Sequence, residues 1–353
     1  MIKSKKKYYI NDLNEITLIL TEDCNLNCSY CDQIHTKKNQ NIKNIIDFFN
    51  FIKIKEINKP IQIELFGGEP FLEKDLIFNI FSYIRSILTG PQRYLITFKI
   101  NTNGTLWNEK YFELLKYLRD NNFNIPNFII SYDGLWQDKR SNEHLTKIIE
   151  ENIKSIFSIK CLASVTKISF SYNGFEDQNL LKNYLYIINK FPVSIFTIKH
   201  YLIRELWKWN EKKFKKYQED FKELLKFDFI QYKNYKKHLV YINQKIHEFL
   251  NPKLGCGLGE TRITLKQNEI LNCGLDNDFN DEKNITSKDI KYNCLSCEIF
   301  NYCDKICPKK IFHMNKEGIN YWCEIKKIEY KILMNYLNKY DFKTYKKIKN
   351  KGV

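Results

Sequence analysis

Ten of the eleven cysteines in this 353-residue chain fall into two groups, at 24–31 and 256–323. No other feature constrains the fold as strongly, because thiols that act together as ligands or redox groups must be brought to a common centre. In a cytosolic protein, clustered cysteines serve as metal ligands or redox groups more often than as structural disulfides. The first group reads Cys24-x3-Cys28-x2-Cys31, three thiols within eight residues. A tight loop can wrap three thiolates around three irons of a 4Fe-4S cube and leave the fourth iron without a protein ligand. Substrate-binding metal chemistry requires such an open position, whereas a structural site closes itself with four ligands. Zinc is the competing reading, although zinc loops normally use Cys-x2-Cys pairs and find four ligands. Cys161, the eleventh, stands alone in an apolar, strand-like setting and reads as a small buried hydrophobe.

Around the first group, residues 15–200 alternate between short β-rich runs and amphipathic helical stretches. Strands are predicted at Ile16–Thr21, Ile61–Phe66, Leu95–Asn101, Asn127–Tyr132, Val165–Ser171 and Val193–Lys199. Helices are predicted between them, near Ile42–Ile54, Lys74–Leu88, Glu109–Arg119, Glu143–Phe157 and Asp177–Lys190. Six strands alternating with helices at parallel-sheet spacing point to an α/β fold, a partial (β/α)6 TIM-like barrel over residues 1–202. Functional loops of such folds leave the C-terminal ends of strands, and the motifs of this region all sit at such ends. Residues 203–252 read as a Lys- and aromatic-rich helical connector, with the aromatics packed inward and the lysines in water. Asn251-Pro252-Lys253-Leu254-Gly255 breaks that helix and opens a cysteine-rich domain at 253–325, followed by a helix or tail at 326–353.

Composition mostly excludes. With 43% hydrophobic and 15% aromatic residues there is ample core material, so disorder is not expected. No run reaches ~18 uninterrupted apolar residues, so no transmembrane helix is expected. The basic N-terminus lacks the apolar stretch of a signal peptide, and a soluble, cytoplasmic protein is expected. The net charge of +16 is spread along the chain rather than gathered into a stripe, which favours no nucleic-acid partner.

A second motif, Gly67-Gly68-Glu69-Pro70, follows the second predicted strand, 36 residues after Cys31. Two glycines let backbone polar groups approach a ligand closely, and the glutamate adds a negative charge. This segment and the Cys24–Cys31 loop, with Tyr30 before its last cysteine, resemble the radical S-adenosylmethionine (SAM) superfamily. The resemblance implies that Cys24, Cys28 and Cys31 hold a 4Fe-4S cluster whose open iron chelates SAM. One electron then cleaves the sulfonium and yields a 5′-deoxyadenosyl radical. It also implies that Gly67, Gly68, Glu69 and Pro70 hold the methionyl amine. Two further strand ends, Asn101-Thr102-Asn103-Gly104 and Ser131-Tyr132-Asp133-Gly134, are similar to segments lining the cofactor pocket in that superfamily. They make Asn103, Ser131 and Asp133 candidate cofactor contacts, with Arg140 in the place of an arginine that often follows. Turn chemistry is the alternative for these groups, because Asn-Gly and Asp-Gly are ordinary turn dipeptides.

The second cysteine group comprises Cys256, Cys273, Cys294, Cys297, Cys303, Cys307 and Cys323. Its Cys-x2-Cys-x5-Cys-x3-Cys-x15-Cys run is close to the seven-cysteine SPASM domain of radical SAM maturases. Asn268 stands where that pattern usually has glycine, a mild change because asparagine tolerates a left-handed turn. The resemblance implies two auxiliary 4Fe-4S clusters, giving three in all. Cys294, Cys297, Cys303 and Cys323 would close one, and Cys256, Cys273 and Cys307 would hold the other, with its last site filled by another group or left open. A zinc-stabilised minidomain is the alternative.

SPASM-bearing enzymes act mostly on ribosomally made peptides, which makes a precursor peptide the expected substrate and a thioether, carbon–carbon or similar cross-link the expected product. Flavodoxin or ferredoxin is the expected electron donor. A second branch oxidises cysteine or serine in sulfatases to formylglycine and carries an aspartate directly after the second auxiliary cysteine. Here Gly274 follows Cys273, with Asp276 three positions beyond Cys273, which argues against that branch. Only 23 residues precede Cys24, fewer than an independent leader-recognition module needs, so a precursor is expected to dock on the barrel, on the helical connector or through a separate leader-binding protein. From another class, a basic zinc protein that binds nucleic acid remains the competing reading.

Overall fold

The computed structural model describes residues 2–4, 6–28, 31, 35–139, 143–159, 166–172, 178–191, 197–202, 210–235, 246, 261–271, 297–299, 302, 316–341, 343–344 and 346–347. These contain strands β1 (Glu15–Thr21), β2 (Ile61–Gly67), β3 (Ile96–Thr102), β4 (Asn127–Ser131), β5 (Thr166–Tyr172), β6 (Thr197–Leu202), β7 (Arg262–Lys266) and β8 (Glu269–Leu271). The helices are α1 (Ile42–Phe51), α2 (Lys74–Ile87), α3 (Gly90–Tyr94), α4 (Glu109–Asp120), α5 (Glu143–Ser158), α6 (Leu180–Lys190), α7 (Glu211–Tyr235) and α8 (Lys316–Tyr340). The chain divides into two compact units, one of residues 1–170, 190–196 and 257–277, the other of 171–189, 197–256 and 278–353.

In the first unit the strand order is β5-β4-β3-β2-β1-β7-β8. Neighbours from β5 to β1 are parallel, β7 is parallel to β1, and β8 returns antiparallel to β7. Side chains alternate between the two faces of a strand, so register decides which residues share a face. The register aligns Leu18, Leu65, Ile100 and Phe128 in one row, extended by Leu265. The neighbouring row on the opposite face is Thr17, Glu64, Lys99 and Asn127, extended by Thr264. The apolar face meets the helices, as the edge-on contact of α2 Phe81 with β3 Phe98 shows, their ring centroids 4.4 Å apart. The helices present matching apolar stripes, Ile45, Phe48 and Phe49 on α1 and Ile77, Ile80, Phe81 and Ile84 on α2, all buried.

The other face carries a buried ionic cluster instead. Glu64 on β2 pairs with Lys99 on β3 at 2.6 Å and with Arg262 on β7 at 2.9 Å. Thr17 and Asn101 donate further hydrogen bonds to it, and Arg262 also reaches Glu15 at 3.3 Å. Burial pushes the Glu64 carboxyl up, but Lys99 and Arg262 outweigh that and hold it below its ordinary value.

In the second unit, α7 and α8 join through the Tyr217 hydroxyl, which donates to Glu329 Oε1 at 2.5 Å. Phe221, Leu224 and Leu225 of α7 and Leu333 and Leu337 of α8 are buried, so each helix turns an apolar stripe inward. The turn around Ile299 docks on α8 through Tyr302 stacked on Tyr330, centroids 4.7 Å apart, and Glu298 paired with Lys331 at 3.0 Å.

Most element boundaries lie within two residues of expectation. Two differ more. Helix α6 starts at Leu180 rather than Asp177, because the Asn179 side chain accepts the Lys182 N–H at 2.7 Å and so caps it. The sixth strand runs Thr197–Leu202 rather than Val193–Lys199, and residues 192–196 lie outside the described set.

Candidate active site

Strand β1 delivers the chain to its C-terminal end at Thr21, where the cysteine loop begins. A short antiparallel return closes the base of the loop. Gln40 donates its N–H to the Leu20 carbonyl at 2.7 Å, Glu22 to Lys38 at 2.9 Å and Thr36 to Glu22 at 3.3 Å. The Glu22 carboxylate accepts the Thr36 hydroxyl and pairs with Lys266 at the end of β7. Its pKa is raised by burial, yet the Lys266 and Thr36 hydrogen bonds bring it below the usual carboxylate range. Inside the loop, Asp23 Oδ1 accepts the Cys24 N–H at 2.9 Å, and Cys31 N–H closes a turn on the Cys28 carbonyl at 3.0 Å. Cys24, Cys28 and Cys31 are all thiols; the first two are half-buried and Cys31 is exposed.

The two glycines after β2 press against this loop. Gly68 donates its N–H to the Thr21 carbonyl and Glu69 donates to the Asp23 carbonyl, each at 2.9 Å. No other residue type fits there. A Cβ on Gly67 would stand 2.2 Å from the Thr21 oxygen, and its φ of +146° is itself a glycine conformation. A Cβ on Gly68 would stand 2.0 Å from the Asp23 oxygen and 3.0 Å from Cys24 Cβ. The motif therefore sets the position of the cysteine loop by backbone contact.

Glu69 is fully buried. Its carboxylate accepts the Phe71 N–H at 3.1 Å, the Thr102 hydroxyl at 2.8 Å and the Asn103 N–H at 2.7 Å, tying the end of β2 to the end of β3. Pro70 opens a 3-10 turn, Pro70–Glu73, with Pro70 and Phe71 buried, which Tyr111 on α4 secures by donating to the Phe71 carbonyl at 3.0 Å. Asn103 in turn reaches the cysteine loop. Its Nδ2 donates to Asn25 Oδ1 at 2.9 Å and lies 3.8 Å from Cys24 Sγ, while its Oδ1 accepts from both the backbone and the hydroxyl of Thr105. Asn25 completes the circuit by donating to the Thr105 hydroxyl at 2.7 Å.

The Cys24 thiol is pushed up to about 11 by burial, with the Glu69 and Cys28 charges adding to the shift. Without metal it carries its proton, so metal binding has to displace that proton. The donor set fits an iron–sulfur cluster. Soft sulfur ligands emerge on one loop, and N–H groups are directed at Cys24 sulfur from Leu26 at 3.4 Å and from Asn103.

The other expected site residues are placed as follows. Ser131 is half-buried at the end of β4, paired with Ser169 of β5. Asp133 is buried and opens the turn that leads to Gly134–Lys139, its N–H donating to Gln137 Oε1 at 2.7 Å. Tyr30 and Arg140 lie outside the described residues, as do Cys161, Cys256, Cys273, Cys294, Cys303 and Cys307. Cys297 sits on the turn before Ile299 and Cys323 on α8. The Lys327 ammonium is held above its ordinary value mainly by its hydrogen bond to Glu324, with both of those thiols also acting on it. Sequence reasoning passed over Asn25, Thr105, Glu22 and Lys266. Asn25 and Thr105 carried one usable signal, since each is a small polar residue next to a motif position. The Glu22–Lys266 pair spans 244 positions and carried none.

Residues 18–157 match the Radical SAM superfamily profile. Among curated proteins the chain is similar to the radical SAM cyclopropyl synthase TigE of Paramaledivibacter caminithermalis, 30% identical over 42% of this chain and 33% of that one. It is also similar to a GTP 3′,8-cyclase of Clostridium perfringens, 29% identical over 49% of this chain and 50% of that one. The matches thus span a third to a half of those relatives' lengths. Among solved structures, anSMEcpe with bound AdoMet and the Cp18Cys peptide superposes with a TM-score of 0.64 at 16% identity, over 96% of this chain and 99% of that one. Streptococcus suis SuiB bound to its precursor peptide SuiA gives a TM-score of 0.51 at 15% identity, over 88% and 74%. At such identities these likenesses concern the fold alone. Among the described residues no helix is long and apolar enough to cross a membrane.

Proposed function

We propose that the radical SAM domain of residues 18–157 belongs to a peptide maturase, which holds one 4Fe-4S cluster on Cys24, Cys28 and Cys31 and two more on its C-terminal cysteines. The observation that carries this reading is the backbone lock of Gly68 and Glu69 onto Thr21 and Asp23, which builds the cysteine loop and the glycine motif into one site. When bound, the cluster and SAM supply a 5′-deoxyadenosyl radical able to abstract hydrogen from an unactivated position. The chain contributes placement. Gly67 and Gly68 bring backbone polar groups to the cofactor's methionyl end, and Glu69 holds Asn103 against the loop through its N–H. Ser131 and Asp133 line the cofactor pocket from the end of β4, with Tyr30 and Arg140 as further contacts.

The proposed substrate is a ribosomally made precursor peptide that acquires a cross-link. Its support is the seven-cysteine C-terminal pattern and a fold shared with SuiB, which binds a precursor peptide. A flavodoxin or ferredoxin would supply the electron, and a separate protein could present the leader. The test is anaerobic turnover with SAM, a reductant and any short peptide found encoded beside the gene. Formation of 5′-deoxyadenosine with loss of two hydrogens from the peptide is expected, and neither product should appear with Cys28→Ala. Production of 5′-deoxyadenosine unaffected by Cys28→Ala would overturn the assignment.

A further inference from the structure

The Cys24–Cys31 motif leaves one nearby side chain without a role. Four residues after Cys31, His35 brings Nε2 to 3.4 Å from Cys31 Sγ. Neither residue belongs to a helix or strand, so the contact is not a by-product of regular structure. The neighbouring Thr36 fixes it, through its N–H and hydroxyl on Glu22, while Lys266 holds the Glu22 carboxylate. A hydroxyl, a carboxylate and an ammonium from three chain segments thus immobilise the residue next to His35. Cys31 is also the exposed member of the three thiols.

We propose that His35 is a positioning residue for the cluster held by Cys24, Cys28 and Cys31: it donates Nε2–H to the Cys31 sulfur and raises the potential at which the cluster accepts its electron. The inference rests on the function proposed above. A metal-bound thiolate has no proton to give, so the ring nitrogen facing it has to be the donor, which fixes the tautomer. Reduction adds negative charge to the cluster and its sulfurs. An N–H aimed at one sulfur therefore stabilises the reduced form more than the oxidised form, and hydrogen bonds to sulfur are among the determinants of cluster potential.

The test is an anaerobic redox titration of the reconstituted full chain, followed by the electron paramagnetic resonance (EPR) signal of the reduced radical SAM cluster, with iron content measured in parallel. At a fixed potential His35→Ala should lower the reduced-to-oxidised ratio about tenfold, equivalent to about 59 mV for one electron. His35→Gln, whose amide can still donate, should recover part of the loss, and Thr36→Val should shift the ratio the same way by less. Iron content and the change SAM makes to the EPR signal should stay as in the unaltered chain. Should His35→Ala fail to retain iron, His35→Gln and Thr36→Val decide the matter. Unshifted potentials in iron-replete variants would overturn the role of His35 while leaving the proposed function intact. An unaltered chain that takes up no SAM-responsive 4Fe-4S cluster would overturn both.

Discussion

At the scale of single residues, the site is held by atoms that cannot be moved rather than by strong individual bonds. Gly68 is the clearest case, because the atom a side chain would meet is the Asp23 backbone oxygen, which has no rotamer to adopt. Gly68→Ala should therefore displace the cysteine loop, and on the proposed function the expected result is loss of the cluster held by Cys24, Cys28 and Cys31 with the iron on the C-terminal cysteines retained. Iron analysis beside a thermal melt checks this, since a chain that still folds but holds about four irons fewer localises the damage. Glu69 shows a different use of a charge. A buried carboxylate is costly unless hydrogen-bonded, and here three donors satisfy it, two of them from Thr102 and Asn103 at the end of the next strand. The sequence marks Glu69 as a candidate site position, but its work as a tie between strands β2 and β3 was not legible there. Nothing in the string Gly-Gly-Glu-Pro says which donors will surround it.

At the scale of elements, the parallel sheet separates its two faces by chemistry. One face is continuous hydrocarbon against the helices, and the other carries Glu64, Lys99 and Arg262 among polar neighbours. Breaking a buried ion pair from one side leaves an uncompensated charge and typically costs about 3–5 kcal/mol. Lys99→Met should cost about 3 kcal/mol, near the lower end, because Arg262 remains on Glu64. The pH dependence has a definite sign. With its folded pKa depressed, Glu64 contributes stability that is complete above the ordinary carboxyl value of 4.5 and is lost as pH falls through the lower folded value. Removing Lys99 raises that folded value toward the ordinary one, so the window narrows and the variant should lose less stability on acidification than the unaltered chain. Urea midpoints measured from pH 7 downward check both effects, and identical acid profiles for the two proteins would refute the assignment. A lone acidic residue inside the Ile-Gln-Ile-Glu-Leu-Phe run was the visible sign that this strand has one polar face. Its cationic partners come from β3 and β7 and left no local trace.

At the scale of the whole molecule, the decisive quantity is the metal inventory. Three cubes correspond to about twelve irons per chain, with matching sulfide, four irons and four sulfides to each 4Fe-4S cluster. The triple variant Cys24→Ala/Cys28→Ala/Cys31→Ala should keep about eight irons. Stoichiometric zinc in anaerobically purified protein would favour the nucleic-acid-binding alternative instead. What the sequence determined by itself was whatever depends on near neighbours. The strand and helix periods, the three-cysteine loop after β1 and the glycine motif after β2 are properties of short stretches, and they were readable as such. What only the tertiary structure decided was which distant segments meet. The register places β7 beside β1, pairing Glu15 with Arg262 across 247 positions of chain. The same packing puts Lys266 on Glu22 and the Gly67–Gly68 backbone against Thr21 and Asp23. The physical reason is that a strand's pattern states how its faces should be buried. It does not name the strand that will supply its hydrogen bonds, and that choice is made by the assembled sheet.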